Sequence, residues 1–216
     1  MIHRQGTVMG YAYELDLPQD ARTLICLPAA PQETDVLRQA APACALLIVH
    51  PNSWNDDLSP WPASRVFAHG TDFGGGAPVF LAALEQIVSE ITPRGSAFDQ
   101  RILCGYSMGG LFALWAGAHS RAFTRVGSVS GSLWFDGFSQ AFAAWPVTHL
   151  NRAYLSVGAR ESRTRNPALS RIDACLDDAY NHLVQSGVPT LRQIHPGGHF
   201  DHPQQRLCRC IEYLSR

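Results

Sequence analysis

A glycine-flanked serine carries the clearest chemistry in this sequence. Ser107 lies in Gly105-Tyr106-Ser107-Met108-Gly109, which fits the pattern Gly-x-Ser-x-Gly. A β-favouring run at residues 101–104 precedes it and an apolar run at residues 111–118 follows it, so the pattern predicts a strand, a sharp turn and a helix. Such a turn exposes the serine hydroxyl beside the positive end of the helix dipole. The segment therefore predicts a nucleophilic serine rather than an ordinary glycine-rich turn.

A serine nucleophile needs a neighbouring base, and histidine suits this role near neutral pH. His199 follows an apolar run at residues 191–195 and two glycines, close to the end of the chain. In the order serine, acid, histidine, the base comes last and after a strand. We therefore expect His199 to be the base, with His195 and His202 as alternatives. Three other histidines are interpreted as surface or hydrogen-bonded loop residues: His50, His69 and His119.

The base needs a carboxylate that orients its ring and stabilises its charged form. Glu161 comes three residues after Gly158, which ends a predicted strand, and lies between Ser107 and His199 in the chain. We therefore expect Glu161 to be the acid. The alternative for Glu161 is a surface ion pair with one of the nearby arginines. Other carboxylates are less suitable, either inside a predicted helix or out of order: Asp173, Asp177, Asp178 and Asp201.

An oxyanion hole needs two backbone N–H donors aimed at the developing charge. The N–H of Met108, next to the nucleophile, is the first expected donor. Ala29, in the loop after an early strand, is the second, with the loop at residues 52–54 as its rival. Four aromatic residues in loops near this edge are candidates for an apolar substrate pocket, or else simply pack the loops: Trp54, Trp61, Trp134 and Phe135.

The elements that must position these residues alternate along the chain. Short apolar runs typical of buried strands occur at residues 23–27, 45–49, 101–104, 126–130, 153–157 and 191–195. Helical periodicity separates several of them, which predicts a mostly parallel sheet with helices on both faces. Loops after parallel strands meet at one edge of the sheet, so Ser107, Glu161 and His199 should lie together. Residues 7–17 are predicted to form one or two strands at the edge of the sheet. The whole chain, residues 1–216, is predicted to form a single domain.

Composition excludes several classes of function. The net charge is −1 with no basic run, so neither nucleic acid nor an anionic membrane is an expected partner. The chain has no lysine, which excludes Schiff-base chemistry and a P-loop. The six cysteines show no zinc-type spacing, and we expect neither a metal nor another cofactor. Without an apolar leader or a membrane-length segment, the expected location is cytoplasmic.

Taken together, these segments resemble the putative esterase family of α/β-hydrolases, which includes enterochelin-esterase-like and esterase-D-like enzymes. The resemblance is carried by residues 54–61, 75–81, 105–114 and 130–134. It implies an α/β-hydrolase fold with a minimal lid and a serine hydrolase that cleaves small-molecule esters or thioesters without a cofactor. In this chain Pro28-Ala29 stands where the family often has Asp-Gly.

Other functions are compatible with the same residues. An acyltransferase would use the same triad with an alcohol or thiol in place of water. A non-catalytic binding protein would keep the fold, although the presence of all three triad residues favours an enzyme. A peptidase is a further alternative, and the lack of a separate gating domain argues against it.

Overall fold

Ten strands occur in the computed structural model, which describes residues 1–29, 34–92 and 98–216. They are β1 (Ile2–Val8), β2 (Tyr11–Leu17), β3 (Thr23–Pro28), β4 (Ala45–Val49), β5 (Pro62–Ala63), β6 (Phe73–Gly74), β7 (Gln100–Tyr106), β8 (Arg125–Val129), β9 (Arg152–Gly158) and β10 (Thr190–His195). The α-helices of the same residues are α1 (Thr34–Ala40), α2 (Trp54–Asp57), α3 (Ala77–Ile91), α4 (Met108–His119), α5 (Phe138–Ala144), α6 (Ile172–Gln185) and α7 (Pro203–Leu214). None of these helices has the length and apolar character needed to span a bilayer.

The central sheet is mostly parallel, as the sequence predicts. Within the described residues it has eight strands in the order β1-β2-β4-β3-β7-β8-β9-β10. The pairs β1–β2 and β2–β4 are antiparallel, and every later pair is parallel. The first two strands form a hairpin whose turn residues, Met9 and Gly10, both have positive φ (51° and 84°). Such a two-residue turn matches the twist of its strands. The edge strand β1 begins earlier than the predicted residues 7–17.

Two apolar cores lie on opposite faces of this sheet. Along β3, Leu24 and Cys26 belong to one core while Ile25 and Leu27 belong to the other. This alternation follows from the two-residue period of a strand. Helices α3, α4, α5 and α6 contribute to the first core, and α1 and α7 to the second. Helix α5 is an element that the sequence analysis did not predict. Of the loop that the sequence predicts after β3, Ala29 is described, and residues 30–33 lie outside the described residues.

The carboxyl edge of the parallel strands carries the candidate chemistry. Ser107 follows β7 directly, and Glu161 follows β9 by three residues. His199 follows β10 by four residues. Because β7, β8, β9 and β10 are neighbours in the sheet, the loops after them open side by side. The fold therefore brings together residues that are far apart in the chain.

Candidate active site

Ser107 occupies a strained turn between β7 and α4. Its φ of 56° and ψ of −121° lie in a region that residues with a side chain rarely adopt. The turn closes tightly, since a Cβ on Gly105 would lie 2.4 Å from the carbonyl oxygen of Gly109. A Cβ on Gly110 would meet Gly131 Cα at 2.9 Å. At Gly109 the approach is tight but less severe, since a Cβ there would lie 3.2 Å from Pro28 Cγ.

The three predicted triad residues form one chain of hydrogen-bonding distances. His199 Nε2 lies 3.1 Å from Ser107 Oγ. On the other side of the ring, His199 Nδ1 lies 2.8 Å from Glu161 Oε2. The exposed fraction is 28% for the His199 side chain and 5% for that of Glu161. His199 therefore faces the solvent side of the site, whereas the carboxylate of Glu161 is buried behind it.

The surroundings of Glu161 favour its ionised form. Burial by itself raises the pKa of this carboxyl, but the hydrogen bonds from His199 and from the Gly158 N–H outweigh it, so the pKa lies below its ordinary value of 4.5. Gly158 N donates to Glu161 Oε1 at 2.7 Å. Glu161 does not pair with its neighbour Arg160, which instead contacts Asp201 at 3.0 Å on the surface. Glu161 thus contacts His199 in a buried position and does not form a surface ion pair.

Sequence reasoning missed one residue of this site, Arg206. It lies in α7, is 2% exposed, and its Nη1 donates to Glu161 Oε1 at 3.0 Å. It also contacts the Ser130 hydroxyl and the loop that carries His199. The signal available in the sequence was an arginine on the otherwise apolar face that helix α7 turns toward the sheet. That signal does not say which acceptors the guanidinium meets.

Tyr106, beside the nucleophile, reaches the same loop. Its hydroxyl donates to the carbonyl oxygen of His199, and the two rings lie with centroids 5.4 Å apart. Burial raises the pKa of Tyr106, which keeps the hydroxyl protonated and able to donate. Tyr106, which directly precedes the candidate nucleophile, therefore helps to fix the backbone of His199, the candidate base.

The N–H of Ala29, which the sequence analysis expects to be the second oxyanion donor, has another partner in the structure. Ala29 N donates to the carbonyl of Val49 at 3.3 Å and so continues the hydrogen bonding between β3 and β4. Its N–H is already used, and Ala29 is absent from the cavity beside Ser107, so this prediction is corrected. The N–H groups of Met108 and Trp54 make no hydrogen bond with any described residue. Both residues line that cavity, which favours the rival loop at residues 52–54.

An apolar cavity of about 260 Å³ opens beside Ser107. Its described lining is mainly aromatic and aliphatic, and contains no arginine. The lining residues are Trp54, Asn55, Phe67, Phe73, Ser107, Met108, Ser132, Trp134, Glu161, Leu169, Ile172, His199 and Phe200. Phe200 is 89% exposed, and its ring packs edge-on against His199 at the rim, with centroids 5.0 Å apart. Ser132 Oγ lies 3.4 Å from Ser107 Oγ.

The four aromatic candidates divide into two pairs. Trp54 and Trp134 line the cavity, as predicted. Trp61 and Phe135 do not line it and instead pack against each other, with ring centroids 5.7 Å apart. The Trp61 indole N–H donates to the Asp136 carbonyl at 3.1 Å. For Trp61 and Phe135 the pocket prediction is therefore corrected, and their role is to pack the loops that support the cavity wall.

The alternative bases and acids lie elsewhere. His195 Nε2 is 3.0 Å from the Tyr154 hydroxyl, and burial lowers the pKa of this histidine. His202 precedes α7 with a φ of 56° and does not line the cavity. Asp173 accepts a hydrogen bond from Ser162 at 2.6 Å on the surface. Among the described residues, no group of three or more histidines, cysteines or carboxylates is arranged to hold a metal ion.

Comparison with protein families supports the resemblance inferred from the motifs. The model of the putative esterase family matches residues 38–172. The chain belongs to the putative esterase family. One relative of this chain, the uncharacterized protein YbbA of Bacillus subtilis (strain 168), is 28% identical to it over 141 residues. This alignment covers 62% of the present chain and 56% of that relative, so the chain spans about half of the relative's length.

Solved structures show that this putative esterase has the α/β-hydrolase fold. An IroE-like serine hydrolase from Shewanella oneidensis aligns with a TM-score of 0.81 at 15% identity, over 98% of this chain and 79% of that one. Enterochelin esterase from Shigella flexneri aligns with a TM-score of 0.73 at 18% identity, over 99% of this chain and 58% of that one. The siderophore hydrolase EstA from Aspergillus nidulans aligns with a TM-score of 0.69 at 20% identity, over 99% of this chain and 93% of that one. At these identities the likeness concerns the fold.

Proposed function

We propose that this putative esterase hydrolyses carboxylic esters or thioesters through an acyl-enzyme on Ser107. The observation that carries the proposal is the continuous contact from Ser107 Oγ to His199 Nε2, and from His199 Nδ1 to Glu161 Oε2. A serine hydroxyl becomes a nucleophile when a base within hydrogen-bonding reach takes its proton. Membership of the esterase family supports the same chemistry.

In the first half of the reaction, Ser107 Oγ attacks the carbonyl carbon of the ester. Its proton moves to His199 Nε2, and the carbonyl oxygen gains the negative charge. Glu161 stays ionised, accepts a hydrogen bond from His199 Nδ1–H and stabilises the imidazolium. Collapse of the tetrahedral intermediate breaks the bond to the alcohol or thiol, which leaves with the proton from His199. The acyl group then remains on Ser107.

In the second half, water replaces the leaving group. His199 takes a proton from this water, and the resulting hydroxide attacks the acyl carbon. The bond to Ser107 Oγ breaks, and His199 returns the proton to Oγ. The products are a carboxylic acid and the free serine, so no cofactor enters the balance.

The two backbone donors for the oxyanion are assigned to Met108 and Trp54. Both have an N–H without a partner among the described residues, and both lie at the cavity that contains Ser107 Oγ. Donors that are fixed before the reaction stabilise the developing charge at little cost of reorganisation. Trp54 takes the place that the sequence analysis gave to Ala29.

The substrate class proposed for this cavity is an ester with an uncharged, compact acyl or aryl group. Aromatic and aliphatic side chains dominate the described lining, and the one carboxylate among these residues, Glu161, contacts His199. A charged group placed in an apolar cavity without a counter-ion loses hydration that nothing replaces. Neutral groups such as butanoyl fit this environment.

Turnover of 4-nitrophenyl acetate and butyrate tests the proposal. The wild type should release nitrophenolate above the enzyme-free rate, and Ser107→Ala should lose this activity while keeping the wild-type circular dichroism spectrum. Ser170→Ala is the matched control, since Ser170 is exposed and its hydroxyl bonds only the Pro167 carbonyl. A folded wild type without turnover, or a fully active Ser107→Ala variant, would refute the proposal.

A further inference from the structure

We propose that Arg206 is a positioning residue. It fixes the orientation of the Glu161 carboxylate and the position of the loop that carries His199, an inference that rests on the proposed function. Arg206 touches neither the cavity nor the nucleophile. It acts through the two residues that orient and carry the base. Its role in the reaction is therefore indirect, through the geometry of the triad.

The location of Arg206 argues against a purely packing role. It lies in the first turns of α7, on the face where Leu207, Ile211 and Leu214 are buried, and is itself 2% exposed. Burying a cation costs free energy unless its N–H groups find acceptors. An apolar residue would serve packing on this face without that cost. The acceptors that the Arg206 guanidinium binds therefore explain why a cation stands at this position.

One nitrogen of the guanidinium fixes the acid. Nη1 donates to Glu161 Oε1 at 3.0 Å and to the Ser130 hydroxyl at 2.9 Å. Glu161 Oε1 also accepts from the Gly158 N–H at 2.7 Å. Two donors therefore hold Oε1, and this orientation turns Oε2 toward His199 Nδ1. A free carboxylate would rotate among these partners.

The other nitrogen fixes the loop of the base. Nη2 donates to the carbonyl oxygens of Pro196 at 2.9 Å and Gly198 at 2.8 Å. These two carbonyls flank Gly197, whose φ is 95°, and Gly198 directly precedes His199. Because the guanidinium is planar and rigid, the separation between its two ends sets the separation between Glu161 and the His199 loop.

A second arginine links the same two loops and provides a contrast. Arg160 contacts Asp201 at 3.0 Å, and Asp201 Oδ2 accepts the Gly198 N–H at 2.7 Å. Side chains of this pair are 60% and 46% exposed, and exposed pairs contribute little. Arg206 makes its contacts in the interior, where solvent does not compete. The interior arginine, rather than the surface one, is therefore the group that fixes the geometry.

The test compares Arg206→Met and Arg206→Lys with wild type, using 4-nitrophenyl butyrate. Arg209→Met is the matched control, because Arg209 lies on the same helix, is exposed and pairs with Glu212. Each kcat is divided by the concentration of active sites, titrated with a fluorophosphonate. Folding is followed by circular dichroism and thermal unfolding.

We expect Arg206→Met to lose about 10²-fold in kcat, because a small misplacement of a catalytic group is costly. KM should stay within about two-fold of wild type, because Arg206 does not line the cavity. Lysine keeps the charge but has three donors and lacks the planar fork that reaches Glu161 and the His199 loop together, so Arg206→Lys should recover part of the rate. The loss in Arg206→Met/Glu161→Gln should be much smaller than the product of the two single losses.

The proposal is overturned if folded Arg206→Met or Arg206→Lys has the wild-type kcat per active site, or if only KM changes. It is also overturned if the losses from Arg206→Met and Glu161→Gln multiply. If Arg206→Met does not fold, the kcat of Arg206→Lys decides by the same criteria. An inactive wild type would instead refute the proposed function.

Discussion

His199 Nε2 lies 3.1 Å from Ser107 Oγ, although 92 residues separate the two in the chain. The approach bridges four adjacent strands at the carboxyl edge of the sheet, because Ser107 follows β7, the His199 loop follows β10, and β8 and β9 lie between them. Tyr106 and Arg206 both donate hydrogen bonds to backbone carbonyls of that loop. The contact is thus a property of the sheet edge and does not depend on one flexible loop alone.

Replacing Glu161 by glutamine should impair catalysis while leaving the fold intact. The amide keeps the size of the side chain but cannot stabilise a protonated His199, so we expect kcat to fall by about 10²–10⁴-fold. Steady-state kinetics with 4-nitrophenyl butyrate measures this. Asp173→Asn is the control, since Asp173 bonds only Ser162 on the surface. An unchanged kcat in Glu161→Gln would mean that this carboxylate has no part in the reaction.

The same carboxyl should make stability depend on pH. Its pKa is lower in the folded protein than its ordinary value of 4.5, so ionised Glu161 stabilises the folded state. This contribution is present above the unfolded-state pKa and is lost as the pH falls through the lower, folded-state pKa. The free energy of unfolding of wild type minus that of Glu161→Gln should therefore shrink as the pH decreases below about 4.5.

Urea denaturation of both proteins, from roughly pH 7 to roughly pH 3, measures this difference. Glutamine cannot titrate, so the comparison isolates the Glu161 carboxyl from the other acids. A difference that stays constant or grows toward low pH would contradict the assigned direction of the pKa shift.

The assignment of Trp54 as an oxyanion donor is tested by a proline. Trp54 is the first residue of α2, where proline is tolerated, and the preceding Ser53 is already extended (φ −135°, ψ 114°). Trp54→Pro removes both the ring and the N–H, whereas Trp54→Ala removes only the ring. We expect kcat of Trp54→Pro to be about 10²-fold below that of Trp54→Ala. Equal kcat values in the two folded variants would exclude this N–H as a donor.

The cavity should discriminate against charge in the acyl group. We compare 4-nitrophenyl 6-methylheptanoate with the 4-nitrophenyl monoester of adipic acid, which has a similar shape and a terminal carboxylate. The uncharged ester should have the higher kcat/KM, by about ten-fold or more, because the described lining offers no cation to the carboxylate. Rates are corrected for enzyme-free hydrolysis. Equal values, or a preference for the anion, would contradict the substrate class proposed here.

The sequence predicts the nucleophile region and the sheet because their signals are local. The glycines around Ser107, the apolar runs of the central strands and the chain order of Glu161 and His199 are visible without coordinates. The family resemblance adds the fold and the class of reaction, and the family match and solved structures confirm both the family and the fold. The roles of the three residues remain predictions, with a geometry that supports them.

Features that depend on distant partners were not predictable. Ala29 looked free in the sequence, but its N–H bonds Val49 because β3 and β4 run on in parallel beyond the predicted strand. Trp61 and Trp134 both lie in predicted loops, and only tertiary packing determines that Trp134 lines the cavity whereas Trp61 does not. Arg206 binds mainly backbone carbonyls and a carboxylate from loops outside its helix. The sequence around residue 206 contains no pattern that identifies these acceptors.

Covalent labelling of Ser107 tests the central claim most directly. The wild-type protein, Ser107→Ala and His199→Ala are incubated with a fluorophosphonate and analysed by intact mass and peptide mapping. The account predicts one adduct per wild-type chain, located on Ser107, none on Ser107→Ala, and strongly slowed labelling of His199→Ala. A folded wild type that takes up no adduct, or an adduct that persists in Ser107→Ala, would contradict it.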